Sequence, residues 1–335
     1  MSTVKDVAKL AGVSTSTVSR AISGKVFVEE ETKKKVLAAA KALDYRPSIL
    51  AKGLREGKTF TIAFMVPDIN SLFFPMIMKS VENYAETKGY SILLCDSNED
   101  PEKELRTIRE LGDRNIDGII CMSTMDDTKS IRKIRKESAV PVTFINRRAD
   151  KVVTSVSVDS VYGGYAATKY LLDHGHRKIG GIFGSLSQKR FRDRFDGCRE
   201  ALDEYGVEMR NEYFASGIDS IEGAYAFTEK LMQKQDRPTA MFASMDILAI
   251  GLYAGVRAAG LEIPKDVSVA GFDNIYMTEF MIPPLTTYSS PIEQMAKDAV
   301  DQLIAQMDGE QKPKSVLLRG SLIERESVRT INEKP

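Results

Sequence analysis

The chain has 335 residues, enough for two or three compact units, and its 43% hydrophobic content is that of a globular protein with a real core. Its 47 Lys and Arg match 47 Asp and Glu, yet residues 1–58 carry a net +6 and the rest −6, so a polyanionic partner is expected at the basic end alone. Three cysteines (Cys95, Cys121, Cys198) form no framework and His174 and His176 lack ligand partners, which argues against disulfides, metal or cofactor. The opening residues lack an apolar signal core and no apolar run spans a bilayer, so a cytoplasmic protein without membrane contact is expected.

In "VKDVAKLAGVSTSTVSRAISG", residues 4–24, Val4, Val7, Ala8 and Ala11 fall at i, i+3, i+4 and i+7 and make one apolar helix face. Gly12 can supply the left-handed turn that ends this helix. Ser14 is then a natural cap for a second helix with Val18, Ala21 and Ile22 inward and Thr15, Ser16 and Arg20 outward. A third helix follows in "VEEETKKKVLAAAKALDYRP", acidic in its first turn, with Val36, Leu37, Ala40 and Leu43 as its core stripe. "SILAKGLREGKT" reads as a basic, glycine-interrupted linker.

From Phe60 the pattern changes. Apolar runs ("TIAFMV", "SILLC", "DGIICM", "PVTFI", then "KIGGIFG", "TAMFA", "VSVAG") alternate with amphipathic stretches at 73–88, 101–115, 127–138, 190–205 and 246–259, and a last helix runs from Pro291 to about Met307. Alternation of this kind builds parallel sheets with both faces covered, and about 270 residues of it suit two sheets better than one.

Two short helices joined by a tight glycine turn and braced by a third form a helix-turn-helix, whose second helix can enter the major groove. A polar-faced helical cap on the larger domain is the alternative, and the basic charge with the basic linker favours DNA. At this point "TVKDVAKLAGVSTSTVSRAISG", "VEEETKKKVLAAAKALDYRPSILAKGL", "HGHRKIGGI", "RFDGCREAL", "VSVAGFDN" and "PPLTTY" closely resemble the lactose-repressor/galactose-repressor family of bacterial transcription regulators over the whole chain. The resemblance implies an α plus α/β chain: a three-helix helix-turn-helix domain at 1–47, a hinge helix or linker at 48–59, and a two-lobed parallel α/β core at 60–335 similar to periplasmic sugar-binding proteins. Its N-lobe would take about 60–158 and 290–319, and its C-lobe about 159–289 and 320–335.

By the same resemblance Thr15, Ser16 and Arg20 read bases, Thr17 and Ser19 hold phosphates, and Leu54 wedges into the minor groove when the hinge orders on DNA. A short glycine-flanked segment should not be helical alone, which agrees. A near-palindromic double-stranded operator and a homodimer are implied, and the end "SLIERESVRTINEKP" carries no leucine heptad for a larger assembly.

Between two parallel lobes a ligand sits at the carboxyl ends of the strands. Phe73 and Phe74 in "PDINSLFFP" resemble the aromatic pair that flanks a sugar ring, and Asn146, Arg147, Arg194 and Asp273 match sugar-contacting positions. Asp68, Asp246 and Ser290 map to the cleft rim. Duller roles stand beside these: Phe74 as helix core, Asp246 as a helix cap, Arg194 paired with Asp196 or Glu200, and Asp159 fixing the lobe crossover. Gln188 stands where purine-responsive members place an arginine, which speaks against a purine, and Met245 replaces an asparagine of some sugar binders. The basic "QKRFRDR", with Arg147 and Arg148, leaves a sugar acid or sugar phosphate open, and the resemblance to catabolite-control relatives leaves a protein partner open.

The expected function is a repressor of carbohydrate-use genes whose operator binding is controlled by a small carbohydrate effector, without catalysis. No nucleophile–base–orienter set and no phosphate-cradling glycine loop supports an α/β enzyme, and the basic N-terminal unit argues against a solute receptor.

Overall fold

Three short helices open the chain: α1 (Val4–Ala11), α2 (Thr15–Ser23) and α3 (Glu30–Ala42). The Thr3 hydroxyl accepts from the Asp6 amide at 3.4 Å, and the Asp6 carboxylate accepts from the Thr3 amide at 2.8 Å, a reciprocal cap that starts α1. These hydrogen bonds from Thr3, the backbone one foremost, hold the Asp6 carboxyl below its ordinary range. Gly12, at φ 66°, ends the helix in the left-handed region, where a side chain would be strained. The Ser14 hydroxyl then accepts from the Thr17 amide at 3.1 Å and starts α2.

Val7, Val18 and Val36 are fully buried between the three helices, joined by Ala8, Ala21, Ala39 and Ala40. Leu37 departs from expectation: it is 47% exposed, and Ala39 takes its place. Two short helices cover only a narrow stripe of α3, which the 36, 39, 40, 43 spacing fills, and Leu37 lies about 100° to one side of Val36.

The computed structural model describes residues 2–23, 27–45, 53, 57–125, 127–147, 153–310 and 312–331, and they divide into two units, Met1–Phe60 and Thr61–Pro335. The second unit holds two sheets. The first lobe contains β1 (Thr61–Val66), α4 (Phe74–Thr87), β2 (Ser91–Asp96), α5 (Pro101–Asp113), β3 (Gly118–Cys121), α6 (Thr128–Glu137), β4 (Val142–Ile145) and β5 (Ser155–Val158). The second contains α7 (Ser160–Asp173), β6 (Ile179–Ile182), α8 (Lys189–Glu204), β7 (Phe214–Ala215), α9 (Ile221–Met232), β8 (Ala240–Ala243), α10 (Asp246–Ala258), β9 (Ser268–Phe272) and β10 (Thr286–Ser289). The chain then returns to the first lobe through α11 (Ile292–Met307) and β11 (Ser315–Leu318), and ends in the second with β12 (Ser321–Ile323).

Strand order is β11-β5-β4-β3-β1-β2 in the first sheet, all parallel, and β12-β10-β9-β8-β6-β7 in the second, parallel except for β12. Central strands such as "TIAFMV" and "AMFA" are buried on both faces, which is why they read as continuous apolar runs. Each lobe has its own core, around Met65, Ile119 and Phe144 in one and Met241, Leu252 and Val269 in the other.

The chain passes between the lobes after β5, β10 and β11, and the crossings are tied together. Arg319 Nε donates to Asp159 Oδ2 at 3.2 Å, the Asp159 amide donates to Leu318 O at 2.8 Å, and the Gly320 amide donates to the Tyr288 hydroxyl at 2.7 Å. Asp159 also caps α7, accepting from the Tyr162 amide at 3.0 Å. Helices α7 and α8 approach backbone to backbone: a Cβ on Gly197 would lie 1.9 Å from Val161 O, and one on Gly164 2.1 Å from Arg194 O. This contact fixes the height at which α8 presents Arg194.

Candidate functional site

On α2, Thr15, Ser16 and Arg20 are exposed and Thr17 and Ser19 half-buried, while Val18 and Ala21 anchor the opposite side. The Ser14 hydroxyl bonds the hydroxyls of Ser16 at 2.7 Å and Thr17 at 2.9 Å, so the start of the helix presents an ordered row of small polar groups. Leu54 lies outside the described residues.

Between the lobes, where both sheets end at their carboxyl edges, lies a cleft of about 300 Å³. Seven of the nine residues expected there line it: Asp68, Phe73, Phe74, Asn146 and Arg147 from the first lobe, Arg194 and Asp273 from the second. Phe73 is buried at the cap of α4 and Phe74 is half-buried in its first turn, their rings 6.1 Å apart and edge to face. Asn146 and Asp273 each follow directly on a sheet strand and take φ values of 54° and 116°, a region that ordinary side chains rarely occupy. Such strain is tolerated where surroundings hold a residue for another purpose.

The two cleft arginines are held in matching ways. Arg194 donates through Nη1 to Ser244 O, just beyond β8, and through Nη2 to Asp273 Oδ1 at 3.3 Å, with its guanidinium 3.6 Å above the Phe272 ring. Arg147 donates through Nε to Ser123 O, just beyond β3, and through Nη1 to Asn146 O at 2.8 Å. Both side chains are almost wholly buried. The Nε of Arg194 and the Oε1 of Gln188, which also lines the cleft, are buried without a hydrogen-bond partner.

Two expected residues do not line the cleft. Asp246 is fully buried as the first residue of α10, where its carboxyl accepts from the Ile275 amide at 3.0 Å and the Thr287 hydroxyl at 2.7 Å. Its oxygens are committed to holding the loop behind Asp273, because β9 and β10 close over it. Ser290 sits at the second crossing and borders a different depression, with Ser80, Tyr84 and Lys297. Arg194 pairs with Asp273 rather than with Asp196, which pairs with Arg199 at 3.1 Å. Within "QKRFRDR", Lys189 pairs with Asp193 at 2.7 Å and Arg190 lies over the Phe191 ring.

Burial pushes the Asp246 carboxyl up to about 8, the Asp273 charge adding to it, so Asp246 is protonated at neutral pH. Burial pushes Asp273 up to about 6, with the Arg194 guanidinium holding it down from going further. One carboxylate therefore balances Arg194. His176 is buried between Thr239 Oγ1 at 3.0 Å and Arg329 O at 3.1 Å, and burial lowers its pKa to about 4, so it is a neutral structural group.

Several lining residues were not anticipated as contacts: Asn70, Glu99, Arg190 and Asp219, together with Gln188 and Met245. Arg190 and Gln188 stood inside the noted basic cluster. Glu99 and Asp219 lie in loops without any motif, and only the fold brings them to the cleft.

Residues 3–48 match the model of the bacterial regulatory proteins, lacI family, and residues 168–328 that of the periplasmic binding protein-like domain. The chain is 37% identical to the HTH-type transcriptional repressor PurR of Vibrio vulnificus over 99% of its own length and 100% of that protein. It is also similar to a transcriptional regulator CelR–cellobiose complex, at 27% identity, 98% and 100% coverage and a TM-score of 0.74. A LacI family transcriptional regulator from Enterococcus faecium with bound ribose matches at 28% identity over 81% of this chain and 100% of that one, with a TM-score of 0.70. A helix-turn-helix with a polar second helix, a two-lobed core with a polar cleft, and full-length identity to repressors converge: this chain belongs to the lacI family of bacterial regulatory proteins, as a DNA-binding transcriptional repressor.

Proposed function

We propose that the chain represses carbohydrate-use genes by binding a near-palindromic operator as a homodimer, and that a small neutral carbohydrate in the interlobe cleft sets its operator affinity. Residues 1–47 read DNA through Thr15, Ser16 and Arg20 and hold phosphates through Thr17 and Ser19. Residues 48–59, with Leu54, form the linker that orders on DNA, and residues 60–335 form the effector core.

The observation that carries the carbohydrate reading is the chemistry of the cleft. Phe73 and Phe74 offer apolar faces to ring C–H groups, and charged groups of both signs offer donors and acceptors to hydroxyls. The lining holds four carboxylates (Asp68, Glu99, Asp219, Asp273) and three guanidiniums (Arg147, Arg190, Arg194), so it has no net positive charge to favour a sugar phosphate or sugar acid. The cellobiose and ribose complexes of the two similar regulators support the same class. A purine base is the second reading, because the aromatic pair also offers a planar ring a stacking face.

Exposed apolar side chains on the second lobe support the dimer: Tyr276 and Phe280 are exposed with rings 4.9 Å apart, and Ile282, two residues on, is 92% exposed. Such patches mark protein interfaces.

Fluorescence anisotropy on the protein's own upstream promoter DNA tests the proposal, titrated with neutral sugars, sugar acids, sugar phosphates and purine bases at fixed salt. Release by a neutral sugar identifies an inducer and tightening a co-repressor. A response to purines alone, or to anionic sugars alone, would replace the neutral carbohydrate, and a response to none would point to a protein partner.

A further inference from the structure

The first lobe contains a buried carboxylate that neither the DNA face nor the cleft uses directly. Glu104, in the first turn of α5, is completely closed to solvent. Burying an ionised carboxylate costs several kcal/mol unless hydrogen bonds satisfy it, so its partners define its purpose. All of them belong to one short loop beyond β3. The Ser123 hydroxyl donates to Oε1, and the Thr124 amide and hydroxyl each donate to Oε2 at 2.8 Å. The Ser123 hydroxyl in turn accepts from the Met125 amide at 3.0 Å. Both carboxylate oxygens are thus spent on fixing residues 123–125.

The same loop carries the acceptor for Arg147. Its guanidinium donates through Nε to Ser123 O, so the carbonyl that aims Arg147 belongs to the residue whose hydroxyl Glu104 holds. The second lobe offers a contrast. There Ser244 O holds Arg194, but Asp273 meets the guanidinium directly at 3.3 Å. In the first lobe Glu104 holds, from behind the loop, the residue whose carbonyl receives Arg147 Nε.

We propose that Glu104 is a positioning residue for effector recognition: it fixes the 123–125 loop so that Ser123 O holds the Arg147 guanidinium at the cleft wall. A carboxylate suits this task because it accepts from three donors at once. Glutamine keeps the shape but exchanges one acceptor oxygen for a donor amide, which either reverses the Ser123 hydrogen bond and leaves its O–H without this acceptor or sets an N–H against the Thr124 amide.

The test needs no knowledge of the effector. In full-length protein labelled with ¹⁵N-arginine, the Arg147 Nε–H signal is assigned by its loss in Arg147→Lys, and its exchange with water is measured. Glu104→Gln is expected to speed that exchange at least tenfold, while the Met122 amide, bonded to Met65 O at 2.9 Å in the same lobe, keeps its wild-type protection. Unchanged Arg147 Nε–H exchange would overturn the proposal. So would faster exchange at both groups, which would make Glu104 a general staple of the lobe. Should Glu104→Gln fail to fold, Ser123→Ala removes the same link while keeping the carbonyl, and the same acceleration is expected.

The consequence for binding rests on the proposed role of Arg147 as an effector contact. With D-ribose and cellobiose as probes in the operator titration, Glu104→Gln should raise the midpoint of an active probe about tenfold, and should add nothing in an Arg147→Ala background. Additive effects would overturn the coupling. An Arg147→Ala midpoint equal to wild type would instead remove Arg147 from the effector site and leave the exchange result standing.

Discussion

Arg194 on α8 and Asp273 beyond β9 meet at 3.3 Å across 79 residues of sequence, and both are nearly closed to solvent. A buried pair of this kind is weak evidence for stability, since desolvation offsets much of the attraction. It suits a site in which a fixed charge and a fixed acceptor must wait for a ligand, and the strained backbone at Asp273 fits the same purpose.

The pair makes the effector response depend on pH. Burial places the Asp273 carboxyl at about 6, facing Arg194, Arg190 and the protonated Asp246. Above that value Asp273 is a charged acceptor, and below it the charge is lost and one oxygen becomes a donor. The effector midpoint of wild-type protein should therefore rise as pH falls from 7.5 to 5, while Asp273→Asn responds weakly at every pH. A wild-type midpoint that stays constant across this range would show that Asp273 does not accept from the ligand.

Asp246 behaves oppositely, as a structural group. Asp246→Ala leaves the Ile275 amide and the Thr287 hydroxyl without their acceptor and should cost about 2–4 kcal/mol. A folded pKa of about 8 means that the unfolded chain releases this proton first, so its contribution to stability falls as pH rises from about 4 through 8. Asp246→Asn mimics the protonated form and should remove that slope while the effector response persists. Thermal melts at several pH values check both variants, and a lost response in a normally stable Asp246→Asn would return this residue to the binding site.

The approach of α7 and α8 admits no side chain at Gly197, whose Cβ would lie 1.9 Å from Val161 O. Gly197→Ala must push the helices apart, at a cost on the order of 1–3 kcal/mol. Because Arg194 is one turn away on α8, the effector response should weaken along with the melting temperature. An alanine variant that melts and responds like wild type would show that the two helices are free to separate.

On the DNA side, Arg20→Ala should lower affinity for the specific operator by about 1–3 kcal/mol and relax base preference at one position. Thr17→Val should weaken binding evenly across sequences, as loss of a phosphate contact does. Leu54→Ala should weaken specific binding and leave effector affinity nearly intact. Binding curves on the operator and on single-base variants separate these patterns, and equal operator affinity in Leu54→Ala would remove its wedge role.

Legibility in the sequence followed physical rule. Strands buried on both faces stood out as apolar runs, and the helix-turn-helix stood out through Gly12 and Ser14, whose turn and cap act over three or four residues. Helices α7 and α9 were not singled out, because "SVYGGYAATKYLLD" and "IEGAYAFTEKLM" pack through glycine and alanine rather than through an aliphatic stripe. Seven of the nine residues placed at the cleft from matching positions line it, while others such as Glu99 and Asp219 carried no signal. Asp246 was misplaced because only the closure of β9 and β10 over it decides whether it faces ligand or protein. Glu104 was invisible, since one glutamate in a charged helix start looks like any solvated residue until the fold covers it.

The most direct test of the cleft as the control site is the promoter anisotropy titration run side by side on wild-type protein and Asp273→Ala. A neutral sugar should shift wild-type operator affinity at least tenfold and leave the variant's affinity unmoved, with both proteins binding operator equally well in its absence. A shift of the same size in Asp273→Ala would place the controlling ligand outside the cleft and contradict the account.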